Sequence, residues 1–85
     1  MTQKRYTIGE TAKICNLTTQ QLRYYDQQGI LSPNYRDKNT GYRYYTENQF
    51  PILVFLYDLK QIGLSNESIR SLMAHRDADL LAKEL

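Results

Sequence analysis

Apolar residues recur at helical spacing along this chain, in stretches separated by short polar segments. In the first stretch Ile8, Ala12 and Cys15 lie four and then three residues apart, which is the period of one helix face. Thr7 with Glu10 three residues later forms a capping box, the pattern that opens a helix. A short amphipathic helix is therefore predicted from Thr7 to about Cys15.

A second short helix follows after a tight turn. Asn16 suits the left-handed end of the first helix, and Leu17 is expected to return to the core. Thr18 with Gln21 forms another capping box, and Gly29 ends the helix. Two short helices joined in this way have the layout of a helix-turn-helix, at about residues 7–29.

The second helix has little to bury. Leu22 is its inward anchor, and Tyr25 and Asp26 flank that side at the third and fourth positions after it. The remaining side chains face outward, and each of them can form hydrogen bonds: Thr19, Gln20, Arg23, Tyr24 and Gln27.

A hairpin is predicted at about residues 34–45. Pro33 prevents continued helix, Asp37 to Gly41 supplies turn residues, and tyrosines on both sides favour strands. A two-stranded hairpin is marginally stable alone in water, so this hairpin should pack on the helices with its tip projecting.

A second helix pair is predicted at about residues 46–75. Thr46 and Gln49 form a third capping box, and Gly63 ends that helix. Pro51 would fall at the fifth helical position, where it kinks the helix or moves its start later. The inward residues are Phe50, Leu53, Leu56 and Leu59, then Ile69, Leu72 and Met73 on a helix that Ser65 caps.

A further helix is predicted from Asp77, carrying Ala78, Leu81 and Leu85 over a single heptad. The whole pattern predicts a mostly α fold. We expect it to comprise a helix-turn-helix, a small two-stranded β-hairpin, a second helix pair and the start of another helix at residues 77–85.

Composition adds an asymmetry to this picture. With 85 residues the chain has room for one small domain. Residues 1–45 contain seven lysines and arginines against three acidic residues, whereas residues 46–85 have four against six. Seven of the eight tyrosines lie in the basic half. A basic, tyrosine-rich face suits a polyanion, although an unevenly solvated surface is the alternative.

Other classes of protein find less support. Cys15 and His75 are single residues of their kinds, so we expect a core thiol, a solvated imidazole and no metal. No catalytic pair or phosphate-binding glycine loop is present, which argues against an enzyme or a bound cofactor. The most apolar run, Phe50 to Tyr57, is too short to span a membrane, and the N-terminus shows no signal segment. A cytoplasmic protein is expected.

Three stretches, YTIGETAKICNLTTQQLRYYDQQGILSP, GYRYYT and LKQIGLSNESI, resemble the N-terminal DNA-binding domain of MerR-family transcription regulators. The resemblance covers about residues 5–75. It implies a winged helix-turn-helix domain at residues 1–76, in which the hairpin is a small two-stranded β wing. The second helix would enter the major groove while the wing grips the backbone, and a truncated dimerisation helix would follow. The wing and the start of the third helix look closest to multidrug-responsive members.

The same resemblance implies a bacterial, nucleoid-associated homodimer that binds a promoter pseudo-palindrome with an over-long spacer. Such regulators bend and untwist this spacer so that RNA polymerase engages both core elements. A small-molecule effector would act through a region that this chain lacks. The 85-residue chain is accordingly expected to be largely monomeric at micromolar concentration.

Individual DNA contacts follow from chemistry and from the resemblance. Arg23 can fork onto guanine or phosphate, with a helix-surface contact to Asp26 or Gln27 as the alternative. Gln20 stands where many relatives have a basic residue, and it could read adenine. Tyr24 and Arg43 match the family's DNA-facing tyrosine and wing arginine. The other candidates are Thr18, Thr19, Tyr25, Arg36, Lys38, Tyr42 and Lys60.

Simpler roles are open for several of these residues. Thr18 could be a cap only, and Lys60 an ordinary solvated lysine. Tyr25 could be core packing, and Tyr42 with Tyr45 is expected to wedge the wing against the second helix.

Two other functions are compatible with the pattern. One is an excisionase-like protein that bends DNA. The other is a helical protein-interaction module, because Ile52, Val54 and Phe55 are more apolar than a helix with one buried side requires. In relatives the partner's C-terminal helix packs near this surface, so these residues, with Leu81 and Leu85, are candidate dimer contacts.

Overall fold

The computed structural model describes the backbone of residues 4–83 and the side chains of residues 4–75. Within them the fold is mostly helical with one small antiparallel sheet. The elements in chain order are β1 (Arg5–Thr7), α1 (Ile8–Cys15), α2 (Thr19–Gln27), β2 (Tyr35–Arg36), β3 (Arg43–Thr46), a 3-10 turn (Glu47–Gln49), α3 (Phe50–Gln61) and α4 (Asn66–Lys83).

The helix-turn-helix forms as predicted, with both capping boxes in place. The Thr7 hydroxyl accepts a hydrogen bond from the Glu10 N–H at 3.1 Å, and the Thr18 hydroxyl accepts one from the Gln21 N–H at 3.0 Å. Asn16 adopts φ 58°, the left-handed conformation predicted for the end of α1. Leu17 and Leu22 are buried and hold the two helices together.

The wing belongs to a three-stranded sheet, which corrects the two-stranded prediction. The strand order is β1-β3-β2, and both pairings are antiparallel. Tyr6 lies opposite Tyr45 in the pairing of β1 with β3. The strand before α1 therefore closes the far edge of the wing and ties the hairpin to the helix-turn-helix, which compensates for the weakness of an isolated hairpin.

The buried amide of Gln49 anchors the base of the wing. Its Oε1 accepts hydrogen bonds from the N–H groups of Asn34 and Thr46, each at 3.2 Å, and its Nε2 donates to the Ser32 carbonyl at 2.7 Å. These bonds join both sides of the hairpin to the start of α3. Pro51 stands at the second position of α3 because the 3-10 turn precedes it, so the helix does start later, where a missing N–H costs little.

Two helical predictions at the C-terminal end are wrong. One continuous helix, α4, runs through Asp77, where a new helix was predicted to begin. Residues 66–83 contain no glycine or proline to interrupt it. Leu72 is exposed rather than inward, because Ile69 and Met73, four residues apart, fill the inner stripe of this helix.

Candidate nucleic-acid interface

The outward face of α2 is available to a ligand. Arg23 and Gln20 are exposed, and Thr19 and Tyr24 are half-buried on the same helix. Arg23 has no ion pair within residues 4–75, so the predicted alternative of pairing with Asp26 does not occur there. The guanidinium is free to bind a phosphate or a base edge.

Tyr25 is removed from the candidate contacts, because the structure places it in the core. Its side chain is 1 % exposed, next to Leu22 on the inner side of α2. Burial raises the pKa of its phenol, with a smaller contribution from Tyr24. Tyr25 therefore has the packing role that was the alternative to DNA contact.

A shallow pocket lies at the N-terminal end of α2. Its volume is about 190 Å³. Lys60, at the end of α3, donates a hydrogen bond from Nζ to the Asn66 Oδ1 at 3.1 Å. The fold thus brings Lys60 toward this end of α2 through a residue that the sequence did not single out. The pocket is lined by Thr18, Gln20, Gln21, Tyr24 and Asn66.

The wing approaches the other end of α2. Arg43 Nη1 lies 3.1 Å from Asp26 Oδ2, which is the one ion pair within residues 4–75. Arg36 lies directly opposite Arg43 in the pairing of β2 with β3. Two arginines of neighbouring strands therefore share this corner with a single aspartate, and the corner carries net positive charge.

Tyr42 and Tyr45 separate in the structure, although both were expected to wedge the wing against α2. Tyr45 is 1 % exposed and belongs to the core, whereas Tyr42 is 66 % exposed. The difference arises because β3 begins at Arg43, so Tyr42 still lies in the turn. Burial is the main cause that raises the pKa of Tyr45 to about 12, and nearby Asp26 adds to it. Tyr42 is open to a partner.

The tip of the wing is a well-ordered turn. Asp37 Oδ1 accepts hydrogen bonds from the N–H groups of Asn39 and Thr40, at 2.8 and 3.0 Å. These bonds hold the pKa of the Asp37 carboxyl below its usual range. Lys38 is exposed in this turn, so it adds charge at the projecting tip as predicted.

Arg5 is a wing residue that sequence reasoning missed. Its guanidinium lies 3.6 Å from the centroid of the Tyr35 ring, across the outer face of the sheet. In the sequence, Arg5 is simply a basic residue before Tyr6. This pattern does not indicate a place in the wing unless β1 is known to pair with β3. The contact is a cation–π interaction that joins β1 to the edge strand β2.

The pocket and the wing lie at opposite ends of α2. Thr18, at the pocket, and Asp26, at the wing, are eight residues apart, which corresponds to about 12 Å along a helix. Cationic side chains approach each end, Lys60 through Asn66 and Arg43 through Asp26. Polar groups that can reach base edges lie between them.

A second exposed surface is apolar and lies on α3. Val54 is 45 % and Phe55 43 % exposed, as the candidate dimer contact requires, whereas Ile52 is half-buried and packs on the core. Exposed Ile62 and Leu72 also belong to the second helix pair. The side chains of Leu81 and Leu85 lie outside the described residues.

Within residues 4–83, no helix is both long and apolar enough to cross a bilayer. That part of the chain also contains no group of three or more histidine, cysteine or acidic side chains arranged to hold a metal ion. Cys15 is buried, and burial raises the pKa of its thiol.

A wing folded against the second helix of a helix-turn-helix is the architecture of the winged helix-turn-helix class of DNA-binding domains. Comparison with known proteins narrows the class, since residues 6–76 match the family described as MerR HTH family regulatory protein. The chain belongs to the MerR family, whose members are DNA-binding transcription regulators and not enzymes.

Two relatives illustrate the match. The chain is 40% identical over 70 residues to the Multidrug-efflux transporter 1 regulator of Bacillus subtilis, covering 82% of this chain and 25% of that protein. It is 39% identical over 71 residues to the HTH-type transcriptional regulator ZntR of Escherichia coli K12, covering 84% of this chain and 50% of that protein. The chain therefore spans half or less of these relatives.

Solved structures agree with the fold. HiNmlR, a MerR family regulator lacking the sensor domain and bound to promoter DNA, superposes with a TM-score of 0.72 at 30% identity, over 88% of this chain and 56% of that one. The EcmrR-DNA complex in EcmrR-RPo gives a TM-score of 0.70 at 30% identity, over 93% of this chain and 32% of that one.

Proposed function

We propose that this chain binds double-stranded promoter DNA through α2 and the wing, as the DNA-reading part of a transcription regulator. The exposed hydrogen-bonding face of α2 carries the proposal, with Lys60 held toward its start and Arg43 toward its end. The major groove of B-DNA is wide enough to admit an α-helix. A helix in that groove would have Lys60 and Arg43 facing the phosphates on either side.

Each surface group then has a chemical role. Arg23 forks onto guanine or a neighbouring phosphate, and Gln20 offers an amide to an adenine edge. Tyr24, Thr18 and Thr19 donate hydrogen bonds to phosphates at the start of α2. On the wing, the contacts to the backbone or the adjacent minor groove come from Arg36, Lys38, Tyr42 and Arg43.

The proposal extends to a homodimer. Helix-turn-helix proteins that read a pseudo-palindrome do so with two copies of the recognition helix. The exposed side chains of Val54 and Phe55 offer an apolar contact to the second subunit. Leu81 and Leu85 belong to the same proposed contact. Sedimentation of a longer protein with and without the substitution Phe55→Glu would test it, since a dimer unaffected by that charge would exclude this surface.

The regulatory step is proposed by analogy with the family. The dimer would bend and untwist an over-long promoter spacer so that RNA polymerase can engage it, at a cost that depends on the sequence of the spacer. Support comes from the similarity to regulators solved on promoter DNA and in an RNA polymerase complex. Effector sensing would belong to segments of longer relatives outside the matched region, and the protein would act in the bacterial cytoplasm.

Fluorescence anisotropy with a labelled random-sequence duplex tests DNA binding itself. We expect association at low ionic strength, with log K falling linearly against log salt. Selection from a random pool would then yield a preferred duplex for the chain. Absence of binding at low salt, or binding that does not respond to salt, would contradict the proposal.

A further inference from the structure

The wing is joined to α2 by one charged contact, between Asp26 and Arg43. Asp26 lies near the end of α2 and Arg43 opens β3, so the contact joins residues far apart in sequence. The Arg43 side chain is 35 % exposed, but that of Asp26 is only 16 % exposed. A carboxylate this enclosed holds a better-defined position than one on an open helix surface.

The surroundings fix the geometry of the pair. Tyr45 is two residues after Arg43 and on the same face of the sheet, where it is buried in the core. Tyr25 is adjacent to Asp26 and is buried as well. The backbones that carry the two charges are therefore both anchored in the core, and the contact between them is not a chance meeting of two long side chains.

Asp26 also reduces the electrostatic repulsion between two arginines of the wing. Arg36 and Arg43 are directly opposite on neighbouring strands, an arrangement of like charges that destabilises a strand pair. The carboxylate faces one terminal nitrogen of Arg43. A guanidinium has five N–H donors in a rigid fork, so Arg43 keeps donors for a second acceptor while Asp26 holds it.

We propose that Asp26 is a positioning residue, which orients Arg43 and through it sets the distance of the wing from α2 for a preferred DNA sequence. The inference rests on the proposed function, because it assumes that Arg43 meets DNA. Asp26 itself is an anion close to a polyanion, so it contributes no attraction to DNA. Its effect is on selectivity: it restrains the wing to one arrangement.

The substitution Asp26→Asn separates the electrostatic effect of Asp26 on DNA affinity from its effect on the orientation of Arg43. Removing a negative charge should leave affinity for a random-sequence duplex unchanged or raise it, whereas the loss of orientation should weaken binding to the duplex selected by the parent chain. We expect the ratio of the two affinities to fall about fivefold, the upper range for one partly exposed ion pair. Asp26→Glu should recover most of the ratio. Asp58→Asn, which removes an equal charge from the exposed surface of α3, should leave the ratio unchanged.

A double-mutant cycle tests whether Asp26 acts through Arg43. In an Arg43→Ala background, Asp26→Asn should no longer change the ratio, and thermal unfolding of each variant shows that the fold is retained. An equal loss with and without Arg43 would overturn the inference, as would tighter binding of Asp26→Asn to both duplexes, which would make Asp26 a competitor of DNA.

The outcomes also separate this inference from the proposed function. If Arg43→Ala weakens binding to both duplexes but Asp26→Asn preserves their ratio, only the positioning role is wrong. If Arg43→Ala binds both duplexes like the parent chain, the wing contact is wrong and the positioning role is wrong with it.

Discussion

Lys60 donates a hydrogen bond to Asn66, and Asn66 lines the same pocket as the first turn of α2. The ammonium group at the end of α3 is thus held toward the residues proposed to meet phosphate. Its remaining N–H donors can bind a phosphate oxygen without breaking this bond.

Replacing Lys60 by alanine should weaken binding to all duplex sequences to a similar extent. The reason is that a phosphate contact carries no sequence information but releases a counterion. We expect the slope of log K against log salt to become shallower by about one unit. Lys13→Ala, at an exposed lysine of α1, serves as the matched control. Equal slopes for the two variants would refute the assignment of Lys60.

Arg23 should determine sequence preference. Arg23→Ala is expected to lose at least about 1–3 kcal/mol of binding free energy on a selected duplex. Arg23→Lys retains the charge but not the fork, so it should preserve binding to random sequence while losing discrimination. Competition titrations with both duplexes measure the two effects. Unchanged affinity of the alanine variant would remove Arg23 from the interface.

Tyr25 should matter for stability and not for DNA contact. Its hydroxyl has no hydrogen-bond partner among the described protein groups, so Tyr25→Phe should leave the free energy of unfolding unchanged or raise it by up to about 1–3 kcal/mol. Tyr25→Ala should cost about 3–5 kcal/mol because it empties a core position. Tyr6→Phe is the comparison, since it breaks a 2.8 Å bond to Glu47 and should lower the melting temperature. Weaker DNA binding by a stable Tyr25→Phe variant would restore Tyr25 to the interface.

The turn at the wing tip should depend on pH through Asp37. Hydrogen bonds from the N–H groups of Thr40 and Asn39 lower the pKa of Asp37 in the folded chain below its ordinary 3.8. Its stabilising effect is therefore complete above that ordinary value and is lost as the pH falls through the folded value. Asp37→Asn should reduce the melting temperature at neutral pH, and the difference from the parent chain should shrink in acid. A difference that is constant with pH would contradict this role.

Local signals predicted most of the helical framework. The Thr7 and Thr18 capping boxes, the left-handed Asn16 and the displacement of a helix start by Pro51 depend on residues within a few positions of one another, and the structure contains each of them. The continuity of α4 could also be predicted, because residues 66–83 contain no glycine or proline. The prediction that a new helix starts at Asp77 was wrong.

Pairings between distant residues could not be predicted in the same way. β1 is three residues long, too short for its alternation of exposed and buried residues to predict a strand, and its place in the sheet depends on β3. The contact of Asp26 with Arg43 and that of Lys60 with Asn66 depend on how separate elements pack. The sequence therefore indicates several side chains that can bind DNA. Only the structure shows which of them lie together at the same end of α2.

Chemical-shift mapping of the isotopically labelled chain with a random-sequence duplex at low ionic strength tests the central claim most directly. We expect the affected amides to cluster at the start of α2, along the wing from Arg36 to Arg43, and at the turn joining Lys60 to Asn66. DNA binding through α2 and the wing would be contradicted if no amide shifted, or if the shifts were confined to the surface around Val54 and Phe55.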